Sequence, residues 1–440
     1  MDAHAFRMTR SSLRLPSFGI QVAVGMAAGL LLGLAAQRVG GDGGGLAATL
    51  RTVGQLFVQL LKALVPPLVF TAIVGSVAAL RDLSNAARLV GQTLLWFAVT
   101  ALIAVAIGIA LGVTLQPGLH AGVDASAATA PSTRGSWIDF LKGLVPANVL
   151  GIGATTTLAD GAATTAVSFN VLQIIVAAVA IGAAAVRVGE AGAAFLAFNA
   201  SALAIFRRLL RWVIALTPIG SAALVGDAVV RYGWHTLSSL GAFAGAVYLG
   251  LALVLLVVYP ALLAANGLSP AAFFRRAWPA IQLGFVSRSS VGTLPLTEEI
   301  TERALGVPRS YSAFAVPLGA TTKMDGCAAI YPAVSAIFVA QFFGVALAPS
   351  DYALIVIVSV LGSAATAGLT GATVMLTLTL STLGLPLEGA GLLLAIDPIL
   401  DMGRTAVNVA GQMLVPAIVA EREGLIAGFP AEDDARAVPA

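Results

Sequence analysis

Residues 318–329 read LGATTKMDGCAA and place Lys323 and Asp325 two positions apart inside an otherwise apolar run. A lysine or aspartate near the middle of a bilayer costs roughly 2.5–3.5 kcal/mol even on the mildest insertion scales. Such a pair reads as part of a functional site, against the plainer reading of a polar loop between two ordinary helices. On an intact helix, positions i and i+2 point about 200° apart, so the two side chains reach one site only where the helix unwinds. Gly319, Gly326 and the threonines Thr321 and Thr322 favour such a break, and the carbonyls it exposes are cation ligands in transporters.

The rest of the chain agrees with a membrane setting. Of 440 residues, 58% are hydrophobic and 10% charged, where a soluble domain carries about a quarter charged. The 24 Lys and Arg against 21 Asp and Glu scatter over loop positions, so no nucleic-acid partner is expected. Cys327 is the one cysteine and His4, His120 and His235 the three histidines, which excludes an internal disulfide and argues against a zinc or copper centre. The basic N-terminus resembles the start of a signal peptide, but the apolar segment after it is long enough to span and has no distinct cleavage site.

Apolar segments near 18–36, 52–80, 90–115, 168–186, 196–224 and 238–264 read as six spans of about 20 residues or more. Arg7, Arg10, Arg14, Arg81, Arg88, Arg275 and Arg276 place the N-terminus and alternate loops in the cytoplasm, with Arg38, Arg51, Arg134 and Arg231 diluting the bias. Residues 116–135, rich in small residues with Pro117 and Pro131, read as an external loop. The GGDGGG run at 40–45 lacks the Gly-Lys-Ser/Thr of a phosphate loop and reads as a connector. RRLLR at 207–211 with Trp212 marks a basic membrane interface.

After residue 270 the segments become interrupted. Residues 281–300 are broken at Ser287, Arg288, Ser289, Ser290, Gly292 and Pro295, and 355–380 are broken at 363–373. Each precedes a further helix, the last one at 392–420. Short broken segments in corresponding positions of two halves mark repeats that build a midplane site, and irregular backbone at that depth must line protein or a water-filled cavity. The breaks offer backbone donors at half-helix ends for an anionic substrate.

In the last helix Asp397, Asp401, Arg404, Thr405, Asn408 and Gln412 fall within an arc of about 100°. The other faces are apolar, so the stripe faces a pore or ligand and not water. Arg404 offers a planar fork for a carboxylate, Asp401 an acceptor for an ammonium, Asn408 a donor to a second carboxylate and Thr405 a hydroxyl. Together they describe an amino-dicarboxylate, the bland alternative being an Asp401–Arg404 pair that only holds the helix.

GATTKMDG (319–326), SRSSVGTLP (287–295) and DMGRTAVNVAGQ (401–412), with LVPPLVF (64–70) and TPIG (217–220), resemble the glutamate transporter family, the dicarboxylate/amino acid:cation symporters. The resemblance implies an all-α polytopic membrane protein with eight transmembrane helices, two re-entrant hairpins and inverted repeats. It implies helices and trimerisation scaffold in 1–270, a transport core in 271–422 and a cytoplasmic tail in 423–440. Within the core it implies hairpin 1 at 277–304, broken helix 7 at 310–345, hairpin 2 at 352–384 and helix 8 at 389–420. It further implies a homotrimer in the cell inner membrane with both termini cytoplasmic, working by an elevator-like motion. Residue by residue, Arg404 matches the side-chain carboxylate binder and Asp401 the amino-group binder. Thr405 and Asn408 lie near the main carboxylate, Ser289 and Ser290 in the serine-rich tip, Cys327 where a threonine stands beside substrate, and Thr373 in the second tip. Arg288 matches a tip arginine of bacterial and archaeal members.

The departures gather at the cation sites. Lys323 replaces the Asn of Asn-Met-Asp-Gly, ahead of Met324, Asp325 and Gly326, and Gln412 replaces a sodium-binding Asp. Phe97, Thr100 and Ala101 stand where Tyr and Thr-Ser ligands are usual, leaving Thr100 as the one hydroxyl. A residual sodium site is expected at Thr321, Met324, Ser363, Ala364 and Thr366, largely from backbone. Thr370 and Thr373 replace Pro and Gly, and Tyr331 stands where animal members carry a proton-binding glutamate. The expectation is a symporter of acidic amino acids or C4-dicarboxylates, a small anionic substrate, with no cofactor and with H+ or Na+ as coupling ion, either proton-coupled or with less dependence on sodium than its relatives. A sodium-coupled symporter and an uncoupled anion-conducting pore are the alternatives. No Gly-x-Ser-x-Gly elbow, His-Glu-x-x-His helix or Cys/His cluster supports an enzyme.

Overall fold

A chain in hydrocarbon must satisfy its backbone N–H and C=O groups internally, and the long apolar runs do so as helices. The computed structural model describes residues 18–80, 86–121, 145–159, 162–365, 371–394 and 396–429. Helices α1 (Phe18–Val39), α2 (Gly45–Leu80) and α3 (Ala86–Leu115) come first. A two-stranded antiparallel hairpin follows, β1 (Ile152–Ala159) and β2 (Ala162–Phe169). Then come α4 (Val171–Arg187), α5 (Glu190–Ala215), α6 (Thr217–Ser239) and α7 (Gly241–Leu253), the last running through a π-helical turn into α8 (Tyr259–Ala265). The second part holds α9 (Pro270–Ser287), α10 (Ser290–Glu299), α11 (Arg309–Thr322) and α12 (Tyr331–Phe342), then α13 (Pro349–Ala365), α14 (Gly371–Thr382), α15 (Glu388–Leu394) and α16 (Asp397–Arg422). Among the described residues, six helices are long and apolar enough to cross a membrane.

Three sequence expectations change. The span expected at 196–224 is interrupted: Leu216 separates α5 from α6. Pro218 has no N–H to return to the preceding turn, so one helix cannot run through. The last helix starts at Asp397 and not at 389 or 392, with α15 a separate short helix before it and Pro398 in the first turn, where a proline fits. The hairpin at 152–169 departs from the all-α expectation, and the other regular elements among the described residues are helical as anticipated. Of the external loop expected at 116–135, 117–120 form one 3₁₀ turn, and 122–135 lie outside the described residues.

The core sits in the second part. α12 from Tyr331 to Ala340 and α16 from Gly403 to Ala420 are buried throughout, and they share one apolar cluster with α3, α7 and α9. A second cluster joins Val65, Val69, Ile73 and Val74 of α2 and Ile174 of α4 to Leu294 of α10 and Val316 of α11. Arg207 of α5 adds a charged tie to the same neighbourhood, reaching Glu302 at 2.7 Å and Glu298 at 3.2 Å. α9 reverses into α10 at Arg288, whose φ is 54°. Ser289 fixes that turn by accepting from the Gly292 N–H at 2.9 Å, an N-cap in its ordinary role.

Candidate functional site

α11 stops at Thr322, and Lys323 and Met324 are extended (φ −104° and −131°) before a π-helical turn, Asp325–Ile330, leads into α12. The unwinding brings the two charges together. Lys323 Nζ lies 2.6 Å from Asp325 Oδ2, with both side chains buried. Tyr259 closes the group from the start of α8: Lys323 Nζ donates to its hydroxyl at 2.7 Å, and that hydroxyl donates to Asp325 Oδ2 at 2.8 Å. Thr100 of α3 donates to Asp325 Oδ1 at 3.4 Å, and Gln412 of α16 donates to the Lys323 carbonyl at 3.4 Å. A buried ion pair persists only when its remaining polar atoms are also served, and these partners serve them.

Gly411 makes the arrangement fit. A Cβ built there collides with Lys323 Nζ and Tyr259 Oη. Gly411→Ala is therefore expected to cost about 1–3 kcal/mol through overpacking and to expel the ammonium. A thermal-shift measurement alongside uptake checks it, and unchanged melting with unchanged uptake refutes the packing role.

One turn along α16 the second cluster forms. Arg404 is 0% exposed. Its Nη1 meets Asp397 Oδ1 at 2.8 Å and its Nη2 meets Asp401 Oδ1 at 3.2 Å, while its guanidinium lies 4.0 Å from the ring centroid of Tyr331. Thr405 donates to Asp401 Oδ1 at 3.4 Å. Asn408 stands between the clusters: its Oδ1 accepts from the Gly326 N–H at 2.8 Å and its Nδ2 reaches Cys327 Sγ at 3.1 Å. Cys327 in turn lies 3.8 Å from Asp401 Oδ1. The whole stripe expected on this helix faces one interior region.

The other expected residues separate. Ser290 is buried at the head of α10, and Ser289 is engaged in the cap. Arg288 at the tip lies close enough to act on Asp401 electrostatically. Thr321 spends its hydroxyl on the Leu318 carbonyl at 2.8 Å, and Met324 is buried beside the break. Ser363 and Ala364 fall in the last turn of α13 and Thr373 in the first turn of α14, while Thr366 and Thr370 lie outside the described residues. Among the described residues no group of His, Cys, Asp and Glu could hold a metal ion.

Sequence reasoning missed Tyr259 as a site residue. A signal existed: in residues 241–265 the hydrogen-bonding side chains are Tyr248 and Tyr259. Both hydroxyls are used, Tyr248 donating to the Ile399 carbonyl at 2.6 Å.

A model of the sodium:dicarboxylate symporter family matches residues 18–422. An uncharacterized symporter of Haemophilus influenzae is 33% identical over 381 residues, covering 84% of this chain and 85% of the relative. The L-cystine uptake protein TcyP of Shouchella clausii is 30% identical over 412 residues, covering 90% and 87%. That of Bacillus licheniformis is 30% identical over 370 residues, covering 81% and 78%.

Proposed function

Because the chain belongs to the sodium:dicarboxylate symporter family, and is thus a membrane transporter and not an enzyme, we propose that it carries amino acids bearing a second carboxylate. Acidic amino acids fit this description, and so does cystine, the substrate named for two of its relatives. C4-dicarboxylates share the two carboxylates but leave Asp401 without an ammonium. The observation that carries the proposal is the buried Arg404, aligned on one helix face with Asp401, Thr405 and Asn408. Arg404 takes the far carboxylate, Asp401 the ammonium, and Asn408 and Thr405 with the serine-rich tip of α9 and α10 the near carboxylate.

Transport is sodium-independent in this proposal, with a proton gradient as the driver. The Lys323 ammonium compensates Asp325, the task of a bound cation in a sodium symporter. Residues 271–422 move as a transport core against the earlier helices, in a homotrimer of the inner membrane with both termini cytoplasmic.

Uptake of radiolabelled aspartate and cystine into proteoliposomes, under separate sodium and proton gradients, tests the proposal. Saturable uptake with counterflow, driven by the proton gradient without sodium, supports it. Strict dependence on sodium overturns the coupling, and failure of both substrates to be taken up or to compete overturns the site.

A further inference from the structure

We propose that Glu298, with Glu302 beside it, is a proton-binding site: Glu298 takes up a proton when the 271–422 core leaves α5 and gives it up when Arg207 returns. The inference rests on the proposed proton-driven motion of that core and names the group that carries the proton.

Glu298 and Asp325 are the two carboxylate residues buried among those described, and they find their counter-charges in different ways. Asp325 pairs with Lys323 at 2.6 Å, two positions away on the same segment, so that pair travels as a unit. Glu298, in the last turn of α10, pairs with Arg207 of α5, 91 positions away and in the part that stays behind. Motion of the core therefore strips Glu298 of its partner. A buried carboxylate left alone neutralises by binding a proton, because its charged form is the one that burial penalises.

The charges around it call for one proton. Arg207 Nη2 lies 2.7 Å from Glu302 Oε2 and 3.2 Å from Glu298 Oε1, one guanidinium serving two carboxylates. The other charges acting on Glu298 are Glu302, in the π-helical turn Ile300–Ala304 that continues α10, and Arg309 at the start of α11. Arg211 of α5 acts on the adjacent Glu299, which Arg303 holds at 3.6 Å. From α2 the neighbour is the apolar Leu68, and α9 and α16 put no charge among those acting most strongly on Glu298. With α5 away, Glu299 keeps Arg303, while Glu298 and Glu302 share Arg309. Two carboxylates against one guanidinium leave one negative charge, and one proton balances it.

The proton has a way in. A cavity of about 20 Å³ adjoins the cluster, its polar wall made by Arg207, Arg211, Glu298, Glu299, Glu302 and Arg303, with room for about one water molecule. The Glu302 side chain is 20% exposed and that of Glu298 7%, so the outer carboxylate passes the proton between solvent and the inner one.

The full-length protein in proteoliposomes, with the membrane potential clamped at zero, reads the site through labelled aspartate or cystine. Two measurements are compared: accumulation under an inward proton gradient, and counterflow at one pH on both sides. With one proton per substrate, a gradient of about one pH unit concentrates substrate about 10-fold. Glu298→Gln has the shape of a protonated glutamate but no proton to release, so it is expected to lose that accumulation and keep counterflow. If counterflow is lost as well, Glu298→Gln combined with Arg207→Gln removes the unmatched guanidinium. Counterflow regained without accumulation then supports the site, and counterflow still absent overturns it, because exchange requires no release of the proton. Accumulation in either variant overturns it too. If the unaltered protein answers the proton gradient and Glu298→Gln answers it equally, the site alone fails. If the unaltered protein accumulates substrate only with sodium, the coupling reading fails and the site with it.

Discussion

Lys323→Asn is expected to convert sodium-independent uptake into uptake that requires added sodium. Asp325 is 1% exposed and its closest charge partner is the ammonium at 2.6 Å. Removing one member of such a pair leaves a buried charge uncompensated, at a cost of about 3–5 kcal/mol. At 1.4 kcal/mol per decade, that predicts a loss of about 100-fold or more in sodium-free medium. The ammonium leaves behind the two oxygens it now touches, Asp325 Oδ2 and the Tyr259 hydroxyl, and the Thr100 hydroxyl is bonded to the other carboxylate oxygen, Asp325 Oδ1. Oxygen sets of this kind suit a hard cation, and sodium is small enough to take the place of an ammonium. Uptake by the variant in proteoliposomes, with sodium added and with choline in its place, reads the result. Sodium should restore most of the lost activity. Full activity without sodium, or a folded variant that no monovalent cation revives, would sink the idea that Lys323 stands in for the ion.

What was legible follows from period and cost. The break at 323–324 could be anticipated because two charges at i and i+2 cannot share a site on a continuous helix, and the stripe on α16 because six polar residues keep the 3.6-residue period. Neither rule reaches across the chain. Tyr259 joins Lys323 from 64 positions away, and nothing in its local sequence, an apolar helix before a proline, says which neighbour its hydroxyl will meet. The same holds for Arg207 and Glu302, 95 positions apart. The β-hairpin escaped for another reason: its runs of Thr and Ala also suit a small-residue loop, and Thr156 pairs with Thr165 across the strands only once the register is set. Within α16, periodicity placed Asp397 and Asp401 on the face of Arg404, but not which of the three would lie innermost. That burial order decides what the site presents to a ligand.

Arg404→Ala is expected to abolish recognition of aspartate while leaving a site that prefers basic substrates. The guanidinium bridges Asp397 and Asp401, at 2.8 and 3.2 Å. Truncating a buried, hydrogen-bonded charge of this kind costs about 2–5 kcal/mol, so aspartate affinity should fall by about 30-fold to more than 1,000-fold. Lysine at the same position should not rescue it, because a single ammonium cannot present two parallel donors to a carboxylate or bridge two carboxylates in one plane. Without the arginine, two like charges face each other one turn apart, which destabilises the helix and favours any ligand that brings positive charge. Competition by lysine or ornithine should therefore rise where competition by aspartate is lost. Adding Asp397→Asn to Arg404→Ala removes the repulsion and should recover thermal stability without recovering aspartate recognition. The double variant thus separates a folding defect from a recognition defect. Binding calorimetry on the purified proteins decides the matter: aspartate affinity within about 3-fold of the unaltered protein would mean that Arg404 only braces α16, and the site would have to be sought elsewhere.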